Sequence, residues 1–152
     1  MSILTMAIKV TWRTVAVAVF RDRTLSYAEV RHLSSHKEAA DASATAFVNW
    51  TMHRFDITMA AIEDAVASEE ARSAELVHLL ENDLLVQGST SHRVSKHALF
   101  EAFAIEPLNS RKELHEIVRQ FWPQLNSSDF HSSVLDAAAL GLYAQVEYLL
   151  ST

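Results

Sequence analysis

Two apolar stretches open the chain. Ile3 to Val10 is mostly apolar with β-branched residues, and Thr14-Val-Ala-Val-Ala-Val-Phe20 is nearly continuous, so each predicts a strand. Arg21-Asp-Arg-Thr24 is a polar break of hairpin length. Beyond it Leu25, Tyr27, Glu29, Arg31 and Leu33 alternate against Ser26, Ala28, Val30 and His32, the period of a third strand. Three strands joined by short turns predict an antiparallel meander.

The period then changes. Ser35 and Glu38 stand at capping-box spacing, and Ala40, Ala44, Phe47, Val48 and Thr51 recur at helical spacing, which predicts a helix over about 36–54. Ile57-Thr-Met-Ala-Ala-Ile62, bounded by Asp56 and by Glu63-Asp64, predicts a buried strand. Ser68 followed by Glu69 and Glu70 is a helix start, Leu76, Val77, Leu80 and Leu84 form that helix's apolar stripe, and Gly88 is a fitting stop. Thr90 to Val94 predicts a fifth strand. Helices follow over about 96–103, over 110–121 with Leu114, Ile117, Val118 and Phe121 on one face, and over about 133–150 with Leu135, Ala138, Ala139, Leu142, Val146 and Leu149 on one face. The order is β-β-β-α-β-α-β-α-α-α, one domain over 1–152. Two right-handed strand–helix–strand crossovers added to the meander give an α/β fold with a five-stranded mixed sheet, three strands antiparallel and two parallel, flanked by helices.

Composition narrows the chemistry. The 152 residues include two Gly, two Pro and no Cys, so neither a Rossmann fingerprint nor a P-loop can be drawn, and disulfides, thiolate nucleophiles and Cys-ligated zinc are excluded. The net charge of −6 is unevenly spread, +2 over residues 1–56 and −8 over residues 57–152. That is not the profile of a strongly basic nucleic-acid binder. No secretory signal or spanning run is evident, which makes the cytoplasm the expected compartment and excludes membrane insertion. His92 and His97 lack a third ligand nearby in sequence, and no nucleophile elbow is present. Trp12, Trp50 and Trp122 are expected in the core or partly buried.

Four stretches carry a family resemblance. Met6-Ala-Ile-Lys-Val-Thr-Trp-Arg-Thr-Val-Ala-Val-Ala-Val-Phe20 is similar to an opening strand that runs into I-D-P-G and a second strand. Met59-Ala-Ala-Ile-Glu63 is similar to a central strand ending in a catalytic Glu. Val94-Ser-Lys-His-Ala-Leu99 is similar to a V-K-K-A-L segment, and His131-Ser-Ser-Val-Leu-Asp-Ala-Ala-Ala-Leu-Gly-Leu142 to a closing helix written D-A-A-D-A-L-A-L. Together they resemble the RuvC-type Holliday junction resolvases of the RNase H-like superfamily. The resemblance implies four carboxylates converging on Mg²⁺, which activates water against a phosphodiester. In this chain Glu63 and Asp136 stand at two of those positions, whereas Lys9 and Ser133 stand where the family has Asp.

The resemblance therefore implies a degenerate site. Lys9 would repel a metal and could pair with Glu63 or Asp136. Plain alternatives stay open: Asp136 has capping-box spacing from Ser133, Glu63 closes a strand, and Asp64 is a turn former or a spare carboxylate. The expected function is a non-catalytic module that binds DNA or RNA, weakly and salt-sensitively, or a protein, with no cofactor. Arg13, Arg21, Arg23 and Arg31 are its candidate phosphate contacts. One alternative is a Mg²⁺-dependent nuclease using Glu63, Asp136 and Asp64 as metal ligands. Another is an interaction subunit that never touches nucleic acid, which the acidic charge favours. The resemblance also implies a homodimer.

Overall fold

A computed structural model of the chain describes residues 3–64, 71–103, 110–126 and 132–149. Strands β1 (Leu4–Val10), β2 (Thr14–Arg21) and β3 (Thr24–His32) form the antiparallel meander, and β4 (Met59–Glu63) and β5 (Thr90–Val94) extend it in parallel. The sheet order is β3-β2-β1-β4-β5. Helices α1 (Lys37–Phe55) and α2 (Ala71–Val86) cover one face, while α3 (Lys96–Ala102), α4 (Ser110–Phe121) and α5 (Ser132–Ala144) cover the other. This is the expected element order and mixed sheet. The helix start expected at Ser68–Glu70 lies outside the described residues.

Alternation along β1, β2 and β4 divides the core in two. Met6, Ile8, Val15, Val17, Val19 and Ile62 meet α1 and α2. The opposite face is lined with small residues, Ala7, Ala16, Ala18 and Ala61, and α5 meets it with Ala137, Ala138, Ala139 and Ala144. Small side chains on both surfaces let the helix approach closely. At Gly141 there is no room for a side chain, since a Cβ there would fall 2.0 Å from Cε2 of Phe20.

Several expectations are corrected. The β3 alternation breaks at a bulge: Phe20 pairs with Leu25 and Val19 with Tyr27, so Ser26 is the additional residue. Leu25 consequently faces the α5 side with Ala28 and Val30, while Tyr27 and Leu33 face α1. The capping box at α1 does not form. The N-cap falls on His36, one residue beyond Ser35, and has no side-chain cap bond; the Ser34 hydroxyl accepts from the His36 N–H (3.1 Å). The α5 segment is buried all round from Ser133 to Gly141 and is not one-faced, as befits a central helix. It passes into a π-helical turn, Gln145–Leu149, and Val146 is exposed. Leu114 and Val118 on α4 and Trp122 just after it take the core at four-residue spacing, leaving Phe121 exposed. Trp12 and Trp50 are exposed as well, against the expectation of core or partly buried positions, whereas Trp122 is buried as expected. Gly88, at φ +80, does end α2.

Candidate functional site

The carboxyl ends of parallel neighbours β1 and β4 open into a crevice, the place where open α/β sheets put their ligands. Lys9 reaches it from β1 and Glu63 from the last residue of β4, both on the face that α5 covers. Asp136, one helical turn into α5, closes the third side. A polar cavity of about 140 Å³ is lined by these three and by Thr11, Lys96 and Arg111. The structure thus gathers residues 9, 63 and 136.

Each carboxylate is already engaged. The Lys9 ammonium donates to Glu63 Oε2 in an ion pair whose side chains are 15% and 6% exposed. Burial pushes the Glu63 carboxyl above its ordinary range, with the Lys9 ammonium opposing and the Asp136 charge reinforcing that rise. Asp136 is also buried, which alone would raise it. Hydrogen bonds from His115 Nε2 (2.6 Å) and Arg111 Nη2 (2.7 Å), with the positive charge of Arg111, outweigh that burial and hold it below the ordinary carboxylate range. Asp136 is therefore no capping residue: α5 begins at Ser132, and the carboxylate points across to α4.

The remaining candidates are placed differently. Ser133 is buried, and its Oγ lies 3.4 Å from Thr14 Oγ1, which in turn is 2.6 Å from Thr11 Oγ1. Asp64 lies outside the cavity, where Oδ1 is 3.4 Å from Arg93 Nη1 and its N–H donates to Val94 (2.7 Å). As a metal ligand beside Glu63 and Asp136 it is displaced, because β4 alternation sends it away from Glu63. The arginines do not form one patch. Arg13 stacks on Trp12 in the turn between β1 and β2, 4.4 Å from the ring centroid, and Arg31 lies on β3 over Phe47. Arg21 and Arg23 belong to the β2–β3 turn at the other end of the sheet. His97 pairs with Glu101 on α3 (3.4 Å), and His92 lies on β5.

Sequence reasoning missed Lys96, Arg111 and His115. The one signal was the four-residue spacing of Arg111 and His115, which sets both on one face of α4. The divalent metal implied by the resemblance does not fit these residues. Glu63 faces an ammonium, Asp136 is taken up by a guanidinium and an imidazole, and among the described residues no group of three His, Asp or Glu could hold an ion. Three cations, Lys9, Lys96 and Arg111, face two carboxylates there, a balance that suits an anion better than a cation.

No protein-family model and no curated protein matches the sequence. Among solved structures, Thermus thermophilus RuvC superposes with a TM-score of 0.80 at 18% identity, covering 99% of this chain and 98% of that one. RuvC of the same organism in complex with Holliday junction substrate gives 0.75 at 19%, covering 95% and 96%. The yeast mitochondrial Holliday junction resolvase Ydc2 gives 0.64 at 12%, covering 90% and 76%. Among the described residues no helix is long and apolar enough to cross a membrane. With its sheet order and crossovers, the chain has the RNase H-like fold in the form found in RuvC and other Holliday junction resolvases.

Proposed function

We propose that this chain is a non-cleaving nucleic-acid-binding module, which grips phosphate with cations where the resolvase fold would carry metal ions. The observation that carries this reading is the Lys9–Glu63 ion pair at the carboxyl ends of β1 and β4. An ammonium there neutralises the first carboxylate and repels a divalent ion, and Arg111 and His115 hold the second. Lys96 and the exposed side of Arg111 remain to meet phosphate oxygens, with Arg13 on the adjoining turn. RuvC and a fowlpox virus resolvase of this fold were solved with Holliday junction DNA, so a four-way junction is the first ligand to try.

Fluorescence anisotropy with a labelled junction tests the binding. Three phosphate contacts give a slope of about −2.7 for log affinity against log salt, a loss of roughly 40-fold between 50 and 200 mM. Lys96→Ala and Arg13→Ala should each lower that slope by about 1. Neither Mg²⁺ nor Mn²⁺ should support cleavage. Metal-dependent cleavage that disappears in Glu63→Gln would sink the non-cleaving reading and leave a nuclease. A second reading, a subunit that contacts only protein, is favoured by the charge of −8 over residues 57–152, and absence of junction binding at 50 mM salt would leave it standing.

A further inference from the structure

At the other end of β1, roughly 20 Å from Lys9 by strand rise, lies an apolar cavity of about 360 Å³, within the size range of small-ligand sites. Phe121 and Trp122 form one wall, with ring centroids 5.9 Å apart. That wall is fixed from behind: Trp122 packs on Phe20 (4.9 Å) and donates its indole N–H to the Arg23 carbonyl (3.2 Å). Leu142 and Val146 from the end of α5 and the π-turn form the facing side, and Ile3 closes the rim. The rim is also ordered, since the Ile3 N–H donates to Asp22 Oδ1 (3.0 Å).

Two features set this cavity apart from a packing defect. Gln145 lines it at 6% exposure, and its Nε2 is buried with no hydrogen-bond partner among the described residues. An orphaned buried amide donor costs stability, and an arriving acceptor would remove that cost. Gln145 is also the first residue of the π-helical turn, an irregularity frequent at functional sites. Arg23, at the rim, has no ion-pair partner among the described residues, whereas the neighbouring Asp22 carboxylate is engaged by the Ile3 N–H.

We propose that this cavity is a binding site for a small, flat aromatic molecule bearing a carboxylate or carbonyl oxygen. The ring lies against Phe121 and Trp122, the oxygen accepts from Gln145 Nε2, and Arg23 supplies the positive charge.

The test is a ¹⁵N–¹H NMR titration of the full chain with 2-naphthoate. The Trp122 indole and Gln145 amide resonances should shift and saturate with a Kd of about 1 mM or tighter, the scale expected for a ligand of this size. Gln145→Leu should weaken binding about fivefold while leaving the melting temperature equal or higher, because it deletes the orphaned donor. Should that variant fold poorly, Arg23→Met at the exposed rim carries the same comparison. The ammonium analogue 2-naphthylmethylamine should not saturate. No binding to 10 mM, shifts centred outside the cavity, or affinity unchanged in Arg23→Met and in folded Gln145→Leu would each overturn the proposal.

Discussion

Asp136 and Glu63 are two buried carboxylates at one site with opposite pH behaviour. Asp136 is held low by His115 and Arg111, so its contribution to stability is present above its unfolded pKa, near 4, and fades as pH falls through the native value. Glu63 is raised by burial, so its contribution is largest below the ordinary 4.5 and is lost as pH rises through its native value. Urea midpoints measured from pH 3 to 8 should therefore show a flatter acid limb in Asp136→Asn and a flatter limb above 4.5 in Glu63→Gln. Asp136→Asn should also cost roughly 1.5–3 kcal/mol at neutral pH, the scale of hydrogen bonds to a charged group. Lys9→Asp with Ser133→Asp replaces the blocking ammonium with carboxylates. That variant should gain a melting-temperature increase with Mn²⁺ that the natural chain lacks, and no gain would mean that Arg111 and His115 alone suffice to exclude the ion.

Among the elements, α5 does most to position the site. Its small residues let it settle on β1 and β2, and that depth brings Asp136 to the cavity shared with Lys9 and Glu63. Gly141→Ala tests the closeness: the new methyl meets the Phe20 ring, and overpacking of this kind costs about 1–3 kcal/mol. The clash should override the better helix propensity of Ala, and Phe20→Leu in the same chain should recover part of the loss in a double-mutant cycle of thermal melts. The bulge at Ser26 works at the same scale. Without it Tyr27, Glu29, Arg31 and Leu33 would exchange faces with Ala28 and Val30, and Arg31 would no longer lie over Phe47.

Across the whole molecule, the sheet separates two surfaces of different chemistry. Arg13 shares the Lys9 end, and Arg21 and Arg23 share the end that carries the apolar cavity. Arg13→Ala with Lys96→Ala should weaken junction binding, whereas Arg21→Ala with Arg23→Ala should leave it within about twofold. Anisotropy at one fixed salt concentration decides between one continuous basic face and two independent ends. The acidic surplus of residues 57–152 keeps any such binding weak and salt-sensitive, since like charge elsewhere on the surface opposes the polyanion.

The element order, the β5 strand at Thr90–Val94, the α4 helix at Ser110–Phe121 and the exclusion of nucleotide loops were all legible in the chain itself. They depend on local period and on residues a few positions apart. Whether Lys9 would pair with Glu63 or Asp136 was not legible, because the partners are brought together from 54 positions apart by the β1–β4 register. The Arg111–His115 hold on Asp136 depends on how α4 crosses α5, and the faces of β3 depend on one bulged residue. The cavity at Gln145 is lined by Ile3, by the β2–β3 turn, by the end of α4 and by the π-helical turn after α5, segments that only the tertiary fold brings together. Amino-acid order set which helices and strands form; packing across the sheet decided which charges meet and which donor, among the described residues, is left without a partner.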